Sequence, residues 1–248
     1  MKLFSRKREV VALVSACGAL LGEEEISNPP VMDQVVGDAF GMEMAEDQGW
    51  TGDWGGARTS LADQGIRPYA TWTGEYLANV DGGDREGGSF GGLLDFGLEM
   101  DLGPTLGLEG TTFFINAFYY SGDNPSEDVG DFNAVSNIYT DTEFNVFNLY
   151  LMQEFQDGAW LFKAGQIAVD DDFMGSDTAA IFVNSAFGPT PVESGNIAAP
   201  IYSLAAPGVY ARAEPTESIY IQGAVYAGDA GPNEPGNHGF EWRTGGAA

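Results

Sequence analysis

Six charged side chains, Glu75, Asp95, Glu99, Asp101, Lys163 and Arg212, stand at alternate positions of otherwise apolar runs. Side chains two residues apart in an extended chain share a face, so each charge turns away from neighbours such as Trp72, Leu94, Leu98, Phe162 and Val209. Carboxylates, an ammonium and a guanidinium along one face can hold polar solutes through charge-assisted hydrogen bonds. They can also pair with one another as a ladder that keeps a wet interior open. Arg212 alternates with Val209, Ala211 and Ala213 in a chain of net charge −27, so it is expected to meet a carboxylate across that interior and to mark its narrowest point.

Other chemistry is poorly supplied. A single cysteine, Cys17, permits no internal disulfide, and a single histidine, His238, cannot build a multi-histidine metal site or a Cys/His catalytic pair. Ten Lys and Arg, scattered along the chain, do not make a phosphate-binding patch, which excludes nucleic acid. Glycoside hydrolysis needs two carboxylates at a set separation, and abundant Asp and Glu are not such a pair. Asp170-Asp171-Asp172 reads as a solvated turn; its alternative, Ca²⁺ ligation through hard oxygens, lacks the spacing of an EF-hand loop. No enzyme activity and no cofactor are expected.

The elements that must position these charges are strands. Period-two alternation runs through Tyr69–Val80, Gly92–Leu102 and Trp160–Gln166. Thr111–Tyr120, Phe144–Gln156, Val209–Glu214 and Ile219–Tyr226 complete about seven candidates, several near the length of a tilted transmembrane strand. The links between them alternate: Asp81–Gly91, a tighter one around Gly103-Pro104, the long Ser121–Glu143, Asp157-Gly158-Ala159, the very long Ala168–Ala206, Pro215–Ser218, and a Gly/Pro/Asn-rich stretch from Gly228. Short turns at one end and long loops at the other are the pattern of outer-membrane barrels, whereas a soluble β-sandwich has no reason to keep it. Ile181-Phe182-Val183 and Phe187 are unusually apolar for a loop and predict that Ala168–Ala206 packs on something, either inside the lumen or across the barrel rim. Arg58–Gln64 predicts two helical turns closed by Gly65.

Residues 1–22 have the basic start and short apolar run of a secretory signal, with Val14-Ser15-Ala16-Cys17 open to reading as a lipidation site. That run is too short to span a bilayer as a helix. Residues 23–49 are an acidic flexible leader, and 50–248 form the folded part. Trp50, Trp54, Trp72 and Trp160 suit interfacial or periplasmic packing better than a ligand site, and His238 is expected to be exposed.

Trp50-Thr51-Gly52-Asp53-Trp54-Gly55-Gly56-Ala57-Arg58-Thr59 resembles the opening signature of the carbohydrate-selective porin family (OprB-like). Val129-Gly130-Asp131-Phe132 with Val135-Ser136-Asn137, Gly165–Phe173, Phe182–Gly188, Leu204–Val209 and Gly236–Phe240 resemble that family's later blocks, in order. The likeness runs from about residue 50 to 243 and is carried by several ordered blocks.

The resemblance implies an all-β, antiparallel transmembrane barrel of sixteen strands in the bacterial outer membrane, with a short N-terminal helix and a lumen passing mono- and oligosaccharides by facilitated diffusion. About seven strands, an odd number, and an end at Thr244-Gly245-Gly246-Ala247-Ala248 without an aromatic closing residue make this chain read as part of a longer barrel. Glu75, Asp95, Glu99, Lys163 and Arg212 become the pore-lining candidates, with sugars and outer-membrane lipid as partners and association of several copies left open. The competing reading is an exported β-protein without a channel that serves surface binding or adhesion.

Overall fold

The computed structural model describes residues 51–176, 179, 182–188, 199–216 and 218–243, together with the backbone of 11–16. Seven strands form one antiparallel sheet in strict sequence order: β2 (Ile66–Asn79), β3 (Gly87–Asp101), β4 (Thr111–Gly122), β5 (Phe144–Phe155), β6 (Trp160–Ile167), β7 (Ala206–Thr216) and β8 (Ile219–Tyr226). Every predicted strand is present, and the last has the bounds that its alternation marked. An eighth, β1 (Val11–Ala16), pairs antiparallel with β8, from Val11 opposite Tyr226 to Ala16 opposite Ile221. The apolar run read as a signal core thus pairs with β8 on the side away from β7.

Strand register sorts every side chain to one of two faces. Thr71 opposes Asp95, Asp95 opposes Phe118, Lys163 opposes Tyr210, and Arg212 opposes Gln222, so these residues share the inner face. Trp72, Leu94, Tyr119, Leu151, Ala164 and Val209 share the outer face. The outer apolar residues are bare: Trp72 is 61% and Tyr76 69% exposed. Inside, polar residues are hidden: Asn145, Thr142 and Ser136 expose 0%, 1% and 2%. A water-soluble fold would show the reverse, and large apolar patches of this kind mark contact with another apolar phase.

The short turns lie at one end and the long loops at the other, with one exception. Link 80–86 between β2 and β3 is shorter than 102–110, because β3 begins at Gly87, ahead of its predicted start at Gly92, and 102–110 holds a helical turn, Leu102–Leu106. Asp101 caps that turn, accepting the Gly103 N–H at 2.9 Å, so it does not serve as a free wall charge. Before the first wall strand the helix Ala57–Ala62 stops short of the predicted Gln64, with Asp63 as its C-cap, and a turn carries the chain to Gly65, whose φ is 78°. A side chain there would lie 2.4 Å from the Asp101 carbonyl, so only glycine lets the helix close against the start of the barrel wall.

The core lies inside the curved sheet, between its inner face and two loops that fold back onto it. Ile138 from 123–143 and Ala168 and Ala205 from the ends of 168–205 pack on Leu93, Phe118, Tyr120 and Phe147. The loops are tied to each other as well, the Tyr202 hydroxyl donating to the Ile138 carbonyl at 2.6 Å.

Candidate functional site

Lys163 is more enclosed than Glu99 and Arg212 among the predicted wall charges. It leaves β6 beneath the short helix Val169–Phe173, and its Nζ lies 2.7 Å from Asp172 Oδ1, with both side chains 11% exposed. The rings of Tyr150 and Tyr210 flank the ammonium at 4.9 and 5.3 Å, adding two cation–π contacts. Asn148 Nδ2 donates to Asp171 at 2.9 Å, and Gln222 Nε2 to the Asp172 carbonyl at 3.2 Å. The acidic run is therefore no freely solvated turn, as its sequence implied. It is docked onto strands β5, β6 and β8 by partners distant in the chain.

Asp170 joins the two ends of the segment. Its Oδ2 accepts the Tyr202 N–H at 2.9 Å, while Oδ1 is buried with no partner among the described residues. Burial, helped by the neighbouring Asp171 charge, pushes the Asp170 carboxyl up from the ordinary aspartate range. A raised value means the docked form holds its proton more tightly than the released form. Docking of segment 168–205 is therefore strongest at low pH and weakens as pH climbs from about 4, the ordinary aspartate value, through the raised one. Limited proteolysis of that segment across pH should show this trend, and Asp170→Asn should weaken it, leaving the share of Asp171, whose buried carboxyl is also pushed up; a variant with the same pH profile would refute the assignment.

The other predicted charges also lie on the inner face, but in separate groups. Glu75 accepts the Ser136 hydroxyl from loop 123–143. Asp95 receives the Tyr69 hydroxyl at 3.2 Å and Asn116 Nδ2 at 3.0 Å. Glu99 pairs with Arg67 at 3.2 Å where both are well exposed. Arg212 does meet a carboxylate, Glu214, at 2.5 Å, but on its own strand rather than across the interior, and it lies over the Tyr220 ring at 4.8 Å.

Between these charges runs a row of inner-face rings. Tyr69 stacks on Phe114 with centroids 6.3 Å apart, and Phe114 on Tyr150 at 5.1 Å. Lys163, Tyr210, Arg212 and Tyr220 continue the row across β6, β7 and β8. Parity would have placed Tyr69 there, since it shares the phase of Thr71 and Glu75. Phe114 and Tyr150 sit in runs too uniformly apolar for parity to assign.

Phe182 and Phe187 stack at 4.3 Å and stay largely exposed. Their segment hydrogen-bonds the neighbouring loop instead, Asn137 binding Val183 O at 2.7 Å and Phe182 O at 2.8 Å. Of the described residues of 168–205, those packed in the interior lie at its two ends. Ile181, Trp50 and Cys17 lie outside the described residues. His238 is exposed, and Trp54, Trp72 and Trp160 are all well exposed. Among the described residues no group of three or more His, Cys, Asp or Glu side chains is arranged to hold a metal ion.

Apolar outside, polar inside and loops folded into the middle is the plan of a membrane channel wall. The family description "Carbohydrate-selective porin, OprB family" matches residues 85–248. The chain belongs to this family. Porin B of Pseudomonas aeruginosa is 32% identical over 131 residues, 49% of this chain and 29% of that protein. The putative porin QuiX of Acinetobacter baylyi is 28% identical over 142 residues, 53% of this chain and 32% of that protein. A high-pH structure of Pseudomonas putida OprB is 25% identical and superposes with a TM-score of 0.72, covering 81% of this chain and 50% of that one. The chain thus spans about a third of the length of these curated relatives and half of the solved porin. As a member of the OprB family it is an outer-membrane protein, and the rings of its outer face are bare. The family is one of channels rather than enzymes.

Proposed function

We propose that this chain builds part of the wall and the constriction of an outer-membrane channel that passes mono- and oligosaccharides by facilitated diffusion, after export directed by residues 1–22. The observation that carries the reading is the inner face itself. Ring faces of Tyr69, Phe114, Tyr150 and Tyr220 alternate with hydrogen-bonding groups of Asp95, Arg67, Glu99 and Arg212. Sugars offer C–H groups on their ring faces and hydroxyls around the rim, so such a wall exchanges one contact for the next as a sugar moves along it. Glu75, Asp95, Glu99, Lys163 and Arg212 line the pore in this reading.

Protein purified from outer membranes and reconstituted in liposomes should admit glucose and maltose, read as swelling. Permeability no greater than that of empty liposomes overturns the reading. Recovery of the protein in the soluble periplasmic fraction without detergent would favour the adhesive β-protein instead.

A further inference from the structure

At the long-loop end, links 80–86 and 123–143 meet around a cavity of about 570 Å³. Its anchor is Asp128, 4% exposed, which accepts Arg85 Nε at 2.5 Å. The Asp128 carbonyl meanwhile receives the Asp84 and Arg85 N–H groups at 3.0 Å each, so the two loops are clamped together. The floor is glycine: a side chain on Gly87 would come within 2.8 Å of the Asp128 carboxylate and fill the space.

The groups that surround the opening are largely unspent. Arg85 reaches Asp128 only through Nε, and its two terminal nitrogens meet no acceptor among the described residues. The carboxylates of Asp123 and Glu127 make no hydrogen bond or ion pair with any described residue. Both lie close enough to Arg85 to act on its charge. Asn124 uses only its oxygen, which accepts the Ser126 N–H at 3.0 Å. The Tyr139 ring, held edge-on to Tyr120 at 5.3 Å, forms a wall, and its hydroxyl is already spent on Asp141.

Planar carboxylate and guanidinium forks can each hold two hydroxyls on adjacent carbons, and an aromatic wall suits the apolar face of a ring. The volume falls within the range of about 300–1,000 Å³ usual for small-molecule sites, and a polar lining of this kind suits hydroxyls rather than an apolar ligand. Three carboxylates against one guanidinium leave the cavity negative, which repels acidic sugars. We propose that this cavity is a capture site at the channel mouth for a pyranose bearing no negative charge, neutral or amino-substituted, held by Arg85, Asp123, Asn124 and Glu127 against Tyr139. The choice of a sugar as ligand rests on the channel reading above. The site itself rests on the cavity.

Hydrogen exchange on the detergent-solubilised protein locates the ligand. Glucose and glucosamine should slow exchange in 84–89 and 122–130, and glucuronate should not. Asp123→Asn with Glu127→Gln removes two exposed charges that support nothing else among the described residues. It should raise the glucose concentration needed for half-protection about tenfold and let glucuronate protect equally well. Tyr139→Leu should weaken glucose to a similar degree while still excluding glucuronate. No protection in the unaltered protein, or protection that survives both variants, overturns the capture site. Liposome swelling run in parallel separates the two proposals: sugar passage without protection removes the capture site and leaves the channel. Protection without passage does the opposite.

Discussion

Replacing Lys163 with methionine should destabilise the protein by about 3–5 kcal/mol, the usual consequence of removing one partner from a buried ion pair. The side chain it deserts, Asp172, is as enclosed as Lys163 itself, and Asp172 Oδ2 already lacks a partner among the described residues. Asp170 and Asp171 stand in the same helix turn, so the one cation bonded to this acidic run among the described residues would be gone. The segment should relieve the repulsion by leaving the wall, because undocking costs fewer contacts than burying uncompensated carboxylates. Three readouts should then move together: the urea midpoint falls, residues 168–205 become protease-sensitive, and single-channel conductance rises as the lumen widens. Lys163→Met combined with Asp172→Leu should recover most of the stability, since an apolar pair of similar volume removes both charges at once. By contrast, Arg67→Ala breaks a pair whose side chains are 57% and 42% exposed, and should cost at most about 1 kcal/mol. Equal losses at Lys163 and Arg67 would mean that the inner pair is screened by water and does not hold the loop.

That pair shows where the sequence stopped being legible. Alternation marked β2, β3 and β6, whose two faces carry opposite residue types at period two, while runs such as those of β4 and β5 were legible as strands but not as faces. Opposed faces also show in Ile219–Tyr226, where Ile221 and Val225 face outward against Tyr220, Gln222 and Tyr226. Strand ends were less legible. Gly87 to Gly91 reads as turn by composition, yet it continues β3 because Tyr76 and Tyr120 lie over the missing side chains of Gly88 and Gly91.

The acidic run 170–172 was misjudged for a different reason. Its partners Asn148, Lys163 and Gln222 come from three strands, and only the register and curvature of the sheet bring them to one place. Asp128 and Arg85 are similar, separated along the chain but joined where two loops cross. Arg212 was legible as a charge in need of a partner, but nothing local distinguished a partner across the interior from Glu214 two residues away. Local pattern reports which phase a side chain faces. It does not report which side chain lies opposite.

Charge placed on the outer face should be as damaging as charge removed from the inner one. Leu151 opposes Ala164 on the bare side of the sheet and is 51% exposed, and Val209, next along that row, is 54% exposed. In water such exposure would make either site tolerant. Within a bilayer the same surface meets hydrocarbon, where an arginine near the midplane costs about 2–4 kcal/mol. Leu151→Arg and Val209→Arg should each lower folding stability by that amount in lipid vesicles, measured by urea titration of the heat-modifiable band. Thr112→Lys provides the opposite control, because Thr112 faces inward beside Asp101, and an added cation there meets water and a nearby carboxylate. It should change stability by less than about 1 kcal/mol. The difference between the two faces isolates the solvent from the residue type. If Leu151→Arg were tolerated as well as Thr112→Lys, the bare outer rings would not be facing lipid, and the sheet would have to bury that face against protein instead.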